Sequence, residues 1–218
     1  MRRFALLPLV LCLLTTGCSA LFPTEPGPTL AHFAQEAPDV GDVAPSVTVT
    51  DLEGNPVALH SLFGARPVVI QLGSYTCPVF RYRRFDMQPM RERYKGDVDF
   101  VVLYTTEAHP VGSISPYADR EWVPWHNRLT RVRNRQPESL PARVEQATIA
   151  RTQMHSNARF LVDDMGNDAW RAYGRAPSAA FLVDRAGVIR LRQVWVEPKA
   201  LTRAIDALLA ESSAAASP

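Results

Sequence analysis

Cys77 stands between an apolar run, Pro67-Val68-Val69-Ile70-Gln71-Leu72, and a segment that opens with Pro78. Proline suits the first position of a helix, because its missing N–H would have had no partner there. A sulfur at that junction faces unpaired N–H groups and the positive end of the helix dipole, and both favour thiolate over thiol. The spacing therefore predicts a nucleophilic cysteine with a pKa below the ~8.5 of a free thiol. Phe80 occupies the fourth position of the motif. A dithiol oxidoreductase would carry a second cysteine there, so an oxidised Cys77 must be resolved by an outside thiol. Farther along, Glu107 and His109 lie two residues apart, which puts them on one face of an extended chain. A carboxylate in that position is expected to orient the imidazole and raise its pKa, making His109 a proton donor near neutral pH.

The elements that must hold these groups alternate between strand and helix. Strands are expected at Val47–Thr50, Pro67–Leu72, Val98–Thr105 and Arg159–Val162, and a hairpin at Ala179–Asp184 and Val188–Val194. Helices are expected at Pro78–Tyr94, with Pro89 inside, and at Leu140–His155, Met165–Tyr173 and Glu197–Leu209. Residues 106–137 read as a long irregular stretch. Two crossovers followed by a hairpin and a helix make an α/β domain of thioredoxin-like order, a mixed central sheet flanked by helices. In that order a cis-proline faces the reactive cysteine, and Pro177, just before the strand at Ala179, is the candidate.

The ends of the chain carry their own signals. Arg2 and Arg3 precede an apolar run from Phe4 to Leu14, too short for a stable bilayer span. Thr15-Thr16-Gly17-Cys18 follows and resembles the lipobox of bacterial lipoproteins, with Cys18 as the acylated residue. Residues 1–17 then read as a signal peptide, 18–40 as a proline-rich tether, 41–210 as the folded domain and 211–218 as a frayed tail. Ser19 in place of aspartate points to the outer membrane of a bacterial cell envelope, with the domain facing the periplasm. Removing residues 1–17 takes away two arginines and no acid, bringing the formal charge from +2 to zero. Such a balance gives no ground for a nucleic-acid partner. Cys12 leaves with the leader, and Cys77 remains as the one free thiol of a lipidated chain.

The segment Val69-Ile70-Gln71-Leu72-Gly73-Ser74-Tyr75-Thr76-Cys77-Pro78-Val79-Phe80 resembles the active-site stretch of the iodothyronine deiodinases. That family reads phenylalanine-glycine-serine-any-threonine, then selenocysteine or cysteine, then proline and phenylalanine. Tyr104-Thr105-Thr106-Glu107-Ala108-His109-Pro110 is similar to the family's tyrosine followed by glutamate-alanine-histidine-proline. Gln136–Arg143 and the stretch from Leu161 to Gly174 resemble later family segments. The likeness covers about residues 40–195. It implies Cys77 at the selenocysteine position, Glu107 and His109 as proton-handling residues, and Ser74, Thr76 and Tyr104 as supports. It also implies an external thiol reductant and no tightly bound cofactor.

Departures from the pattern concern substrate-binding groups. Val111-Gly112-Ser113-Ile114 replaces the family's serine-aspartate-glycine-tryptophan, Pro137 stands where a second histidine is usual, and Ala179 and Ala180 occupy the place of an arginine. Val194-Trp195-Val196-Glu197 replaces a glycine-rich stretch. Three functions stay open: a thiol enzyme that removes halogen from an aromatic ring, a peroxiredoxin-like peroxidase, and an envelope binding protein that keeps the fold without catalysis. Against the peroxidase, Ile70 stands where peroxiredoxins carry a proline, although Ser74 fits their serine or threonine. The arginines at 81, 83, 84, 128, 131, 133 and 135 read as a solvated face rather than as an attractor of an anionic substrate or phospholipid head groups, and Trp122 and Trp125 as either pocket walls or caps on the core. The histidines are not spaced as metal ligands, so no metal is expected.

Overall fold

The computed structural model describes residues 30–215. The leader, Cys18 and the first part of the expected tether lie outside the described residues. Seven strands form one sheet in the order β2-β1-β5-β4-β3-β6-β7. They are β1 (Thr48–Asp51), β2 (Pro56–Ala58), β3 (Val68–Gly73), β4 (Asp99–Tyr104), β5 (Arg159–Val162), β6 (Ala180–Val183) and β7 (Ile189–Gln193). The helices are α1 (Phe33–Glu36), α2 (Pro78–Arg93), α3 (Trp125–Leu129), α4 (Leu140–Gln153), α5 (Asp168–Ala172) and α6 (Pro198–Ala215). Strands β3, β4 and β5 run parallel, while β6 is antiparallel to β3 and β1 is antiparallel to β5. This mixed sheet between helices is the thioredoxin-like arrangement the sequence predicts.

β3 is an interior strand, between β4 and β6, and every residue in it is buried. A strand covered on both faces reads as a continuous apolar run, which is why Val68–Leu72 lacks alternation. The two faces still divide by parity. Val69 joins Met87 and Met90 of α2 and Leu201 and Ile205 of α6 in one cluster. Val68, Ile70 and Leu72 join the other, with Ala147 and Ala150 of α4.

Three boundaries differ from those expected. Leu30, Phe33 and Ala37 are core residues, and Arg192 donates to the Ala34 and Ala37 carbonyls. Residues 30–40 therefore belong to the domain and not to a tether. Prolines at 23, 26, 28 and 38 masked the apolar spacing of Leu30, Phe33 and Ala37. α6 continues to Ala215, where a frayed tail was expected from 211, and Glu211 receives Arg190 at 2.5 Å. The turn after β1 leads into a seventh strand, β2, which the sequence pattern hides because Pro56 opens it. Pro56 is tolerated because β2 is an edge strand. Among the described residues no helix is long and apolar enough to cross a membrane.

Gly73 ends β3, immediately before the site. A Cβ there would lie 2.2 Å from the Phe80 ring. The backbone of β3 and the first turn of α2 thus approach more closely than any side chain allows. Gly73→Ala is expected to destabilise the fold by about 1–3 kcal/mol through overpacking. Urea unfolding measures it, and an unchanged midpoint would contradict the tight strand–helix packing.

Candidate active site

β3 and β4 pair in register up to Gly73 and Tyr104, and Thr105 N–H donates to the Gly73 carbonyl at 3.0 Å. The loops that follow the two strands therefore leave the sheet side by side. One carries Ser74, Thr76 and Cys77, the other Glu107 and His109. Parallel strand ends bring together residues some thirty positions apart in sequence.

The Glu107 carboxylate is fully buried and sits where the two loops meet. One oxygen accepts from Thr76 N–H at 2.8 Å and from the Thr76 hydroxyl at 2.5 Å. The other accepts from the Tyr104 hydroxyl. Both hydroxyls are in turn engaged as acceptors: Thr76 Oγ1 takes His109 N–H at 2.9 Å, and Tyr104 takes Tyr75 N–H at 3.2 Å. Ser74 Oγ accepts from Ala108 N–H at 3.0 Å. Ser74 and Thr76 thus bond to the backbone of the loop that carries His109, and Tyr104 to that of the loop that carries Cys77. Burial raises the Glu107 pKa, and the bonds from Thr76 and Tyr104 pull against it. Because every neighbour points a donor at it, the carboxylate form fits the network.

Glu107 does not orient the imidazole, as the two-residue spacing had suggested. The chain after β4 is not an extended strand, so the two side chains diverge. His109 Nδ1 lies 3.1 Å from the Trp122 carbonyl, and the Trp122 ring meets the imidazole edge-on at 4.5 Å between centroids. A carbonyl can only accept, so Nδ1 carries the proton and Nε2 is left as the basic nitrogen. Burial lowers the His109 pKa to about 4, with Arg81 adding to the shift and the Trp122 carbonyl opposing it. The ring is neutral at neutral pH, contrary to the expected imidazolium. The unfolded chain takes up a proton near 6.5 that the folded one refuses until about 4. This site's contribution to stability is therefore complete above 6.5 and lost as pH falls through 4.

Cys77 caps α2 with extended backbone, and Pro78 follows as the first helical residue. The thiol is 1% exposed. Desolvation pushes its pKa up to about 11, outweighing the N–H groups of Phe80 and Val79 and the charge of Arg81, which act in the opposite direction. The helix terminus is present as predicted, but the lowered thiol pKa is not, because the sequence could not show how deeply the sulfur is buried. Pro177 is buried in the strand-entry segment, yet the peptide before it is trans, as are all peptide bonds among the described residues. The adjoining backbone is already held extended: the Ser178 carbonyl accepts from Val196 and the Ala179 carbonyl from Leu72. The trans form is also the lower-energy one for an X–Pro bond.

Three supports leave little or no mark in the sequence. Arg81 is buried, not solvated, and donates to the Tyr75 carbonyl at 2.6 Å and to Asn127 Oδ1 at 2.8 Å. Asn127, fully buried on α3, donates to the Thr76 carbonyl at 2.7 Å. Gln136 accepts from Glu107 N–H at 3.0 Å and donates to its carbonyl at 2.9 Å. Only Gln136 left a trace, as the first residue of a family-like segment. Cys77 and His109 line an open cleft of about 560 Å³ together with Trp122, Trp125, His126 and Trp195. The tryptophans are therefore walls of a pocket. No cluster of metal-binding side chains occurs among the described residues.

The profile described as "Iodothyronine deiodinase" matches residues 29–193. The chain belongs to the iodothyronine deiodinase family. Thyroxine 5-deiodinase of Sus scrofa is 33% identical over 140 residues, covering 62% of this chain and 41% of the pig protein. The Homo sapiens protein of the same name is 34% identical over 115 residues, or 51% of this chain and 33% of the human one. Type I iodothyronine deiodinase of Xenopus laevis is 27% identical over 154 residues, covering 69% and 55%. This deiodinase-family chain thus spans less than half the length of those mammalian relatives. Among solved structures, a putative thiol:disulfide interchange protein DsbE of Chlorobium tepidum superposes with a TM-score of 0.53 at 20% identity, covering 78% of this chain and 98% of that one. An uncharacterised conserved protein of Geobacillus kaustophilus gives 0.57 at 18%, covering 79% and 83%. These likenesses establish the shared fold.

The resting site of this family member holds a thiol and a neutral imidazole on one cleft. Iodoacetamide alkylation of Cys77 measured against pH is expected to rise with a midpoint near 11, where burial places it. A midpoint at or below that of a free cysteine would show that the helix terminus outweighs desolvation.

Proposed function

We propose that the chain is a single-cysteine, thiol-dependent oxidoreductase that reductively removes halogen from an aromatic substrate. The observation that supports this reading is the placing of Cys77 and His109 on one aromatic-walled cleft in a deiodinase-family chain. A flat ring between Trp122, Trp125 and Trp195 is held by stacking and edge contacts.

The resting protonation states suggest how the step balances. Cys77 sulfur attacks the halogen as its thiol proton passes to His109 Nε2. The carbon–halogen electron pair stays on the ring carbon, which takes the proton back from the imidazolium. The products are Cys77 sulfenyl halide and the dehalogenated ring, with no proton drawn from solvent. An external thiol then displaces halide to form a mixed disulfide, and a second thiol restores Cys77 and leaves as half of a disulfide. Glu107 acts at a distance, by holding Thr76 and the His109 backbone. The residues fit external thiol supply, since position 80 is Phe and Cys77 is the free cysteine among the described residues. In the same reading the leader directs the chain to the bacterial envelope, and acylated Cys18 anchors it facing the periplasm, on the outer membrane.

The test incubates the chain with iodinated phenols and dithiothreitol, against a Cys77→Ser control, and measures iodide release. Wild type is expected to release iodide and the control none. His109→Ala should cost about 10²–10⁴-fold, the usual contribution of a positioned proton-transfer group. It should leave the limiting alkylation rate of the ionised thiolate nearly intact. The acid limb should fall near pH 4 and not near 6.5, because protonated His109 cannot receive the thiol proton. Turnover of hydrogen peroxide with no iodide from any iodophenol would replace this reading with the peroxidase.

A further inference from the structure

The mouth of the cleft is apolar and basic, and its Trp122 and Trp125 are left exposed by the described residues. Trp122, Trp125 and Leu129 are 41%, 61% and 74% exposed. Trp125 and Leu129 are the first and last residues of α3, four apart, and so share one face of it. Arg128, Arg131 and Arg133 are exposed beside them, and between Glu121 and Glu138 the chain carries no acid. None of the three forms a salt bridge among the described residues. Tryptophan and leucine with arginine at their edge is the composition of a surface that settles into a bilayer interface.

The chain also leaves the domain at this end. Residues 33–44 run beside β7 in the opposite direction. Ala44 N–H donates to the Gly187 carbonyl and Gly41 N–H to that of Ile189, whereas Ala37 and Ala34 lie at Arg192. After β7 ends at Gln193 the chain reaches Trp195 of the cleft two residues later. Moving towards the N-terminus therefore means moving towards the cleft, and Phe33 packs on Phe181 at the cleft end of β6. Eleven residues lie between Cys18 and Leu30, a reach of at most about 43 Å.

We infer that the cleft wall at Trp122, Trp125 and Arg128, together with the exposed Leu129, Arg131 and Arg133 that follow it along the chain, docks on an anionic lipid surface, so that the cleft opens into the headgroup layer. The tether geometry rests on the reading of Cys18 as an anchor. Intact mass of the wild-type mature chain reports acylation at Cys18 independently of vesicle binding. An apolar aromatic substrate dissolved in lipid would then reach Cys77 without crossing bulk water.

The mature chain carrying Cys18→Ala, which cannot be acylated, is sedimented with vesicles of phosphatidylcholine alone or with one quarter phosphatidylglycerol. Binding to the anionic vesicles is expected, with a blue shift of tryptophan emission and weakening as salt is raised. The double substitution Trp125→Ser and Leu129→Ser should weaken it at least about tenfold. Replacing Arg128, Arg131 and Arg133 by Gln should cost about fivefold for each arginine on anionic vesicles. The altered side chains are exposed, so folding is checked by an unchanged circular dichroism spectrum. Failure of the Cys18→Ala chain to bind either vesicle, or undiminished binding by both sets of variants, overturns the inference. Because binding is read without turnover, a chain inactive towards iodophenols leaves the result unaffected.

Discussion

The carboxylate of Glu107 joins the two loops on which everything else at the site depends. Removing a charge from water costs several kcal/mol, and each hydrogen bond to a charged acceptor returns about 1.5–3 kcal/mol. With Thr76 N–H, the Thr76 hydroxyl and the Tyr104 hydroxyl all donating to it, the balance is close to even. Glu107 therefore contributes geometry more than stability. It holds the residue before Cys77, and through Thr76 Oγ1 it holds the backbone N–H of His109. Loss of the carboxylate would leave two buried hydroxyls and an N–H without their acceptor, and nothing else in the network could take its place.

Around that tie, burial decides the chemistry. Cys77 and His109 both lie in a region where charge is costly, and burial moves their pKa values apart, the thiol upward and the imidazole downward. Both groups are held in their neutral forms. The helix terminus and Arg81 lower the thiol pKa by less than burial raises it, so they assist the thiolate only as it forms. Such burial keeps the sulfur as a thiol at neutral pH.

Much of the fold was legible because its signals are local. The continuous apolar run of β3, Pro78 at the start of α2 and the turn at Arg185-Ala186-Gly187 each state their structure within a few residues. Cys77, Ser74, Thr76, Tyr104, Glu107 and His109 were legible by type and by resemblance, and the strand pairing that gathers them comes from the crossover order. What escaped depends on depth and distance. Arg81 sits in a run of arginines that reads as a wet surface, and its bonds to the Tyr75 carbonyl and to the buried amide of Asn127 on α3, 46 positions away, show otherwise. The partner of His109 is a backbone carbonyl at Trp122, which no side-chain pattern reports. The thiol pKa turns on burial at a junction whose local dipole points the other way. Leu30, Phe33 and Ala37 were hidden among prolines, although their spacing packs them on the core.

The neutral thiol–imidazole pair is central to the proposed chemistry, and the ring nitrogens of His109 report it directly. Chain labelled with nitrogen-15 in histidine, compared with His109→Gln for assignment, gives the protonation state of each ring nitrogen by NMR. From about pH 5 to pH 8, across the range where a free histidine titrates, His109 is predicted to show a protonated Nδ1, an unprotonated Nε2 and no titration. An imidazolium at pH 6.5, or a proton on Nε2 with Nδ1 bare, would contradict it.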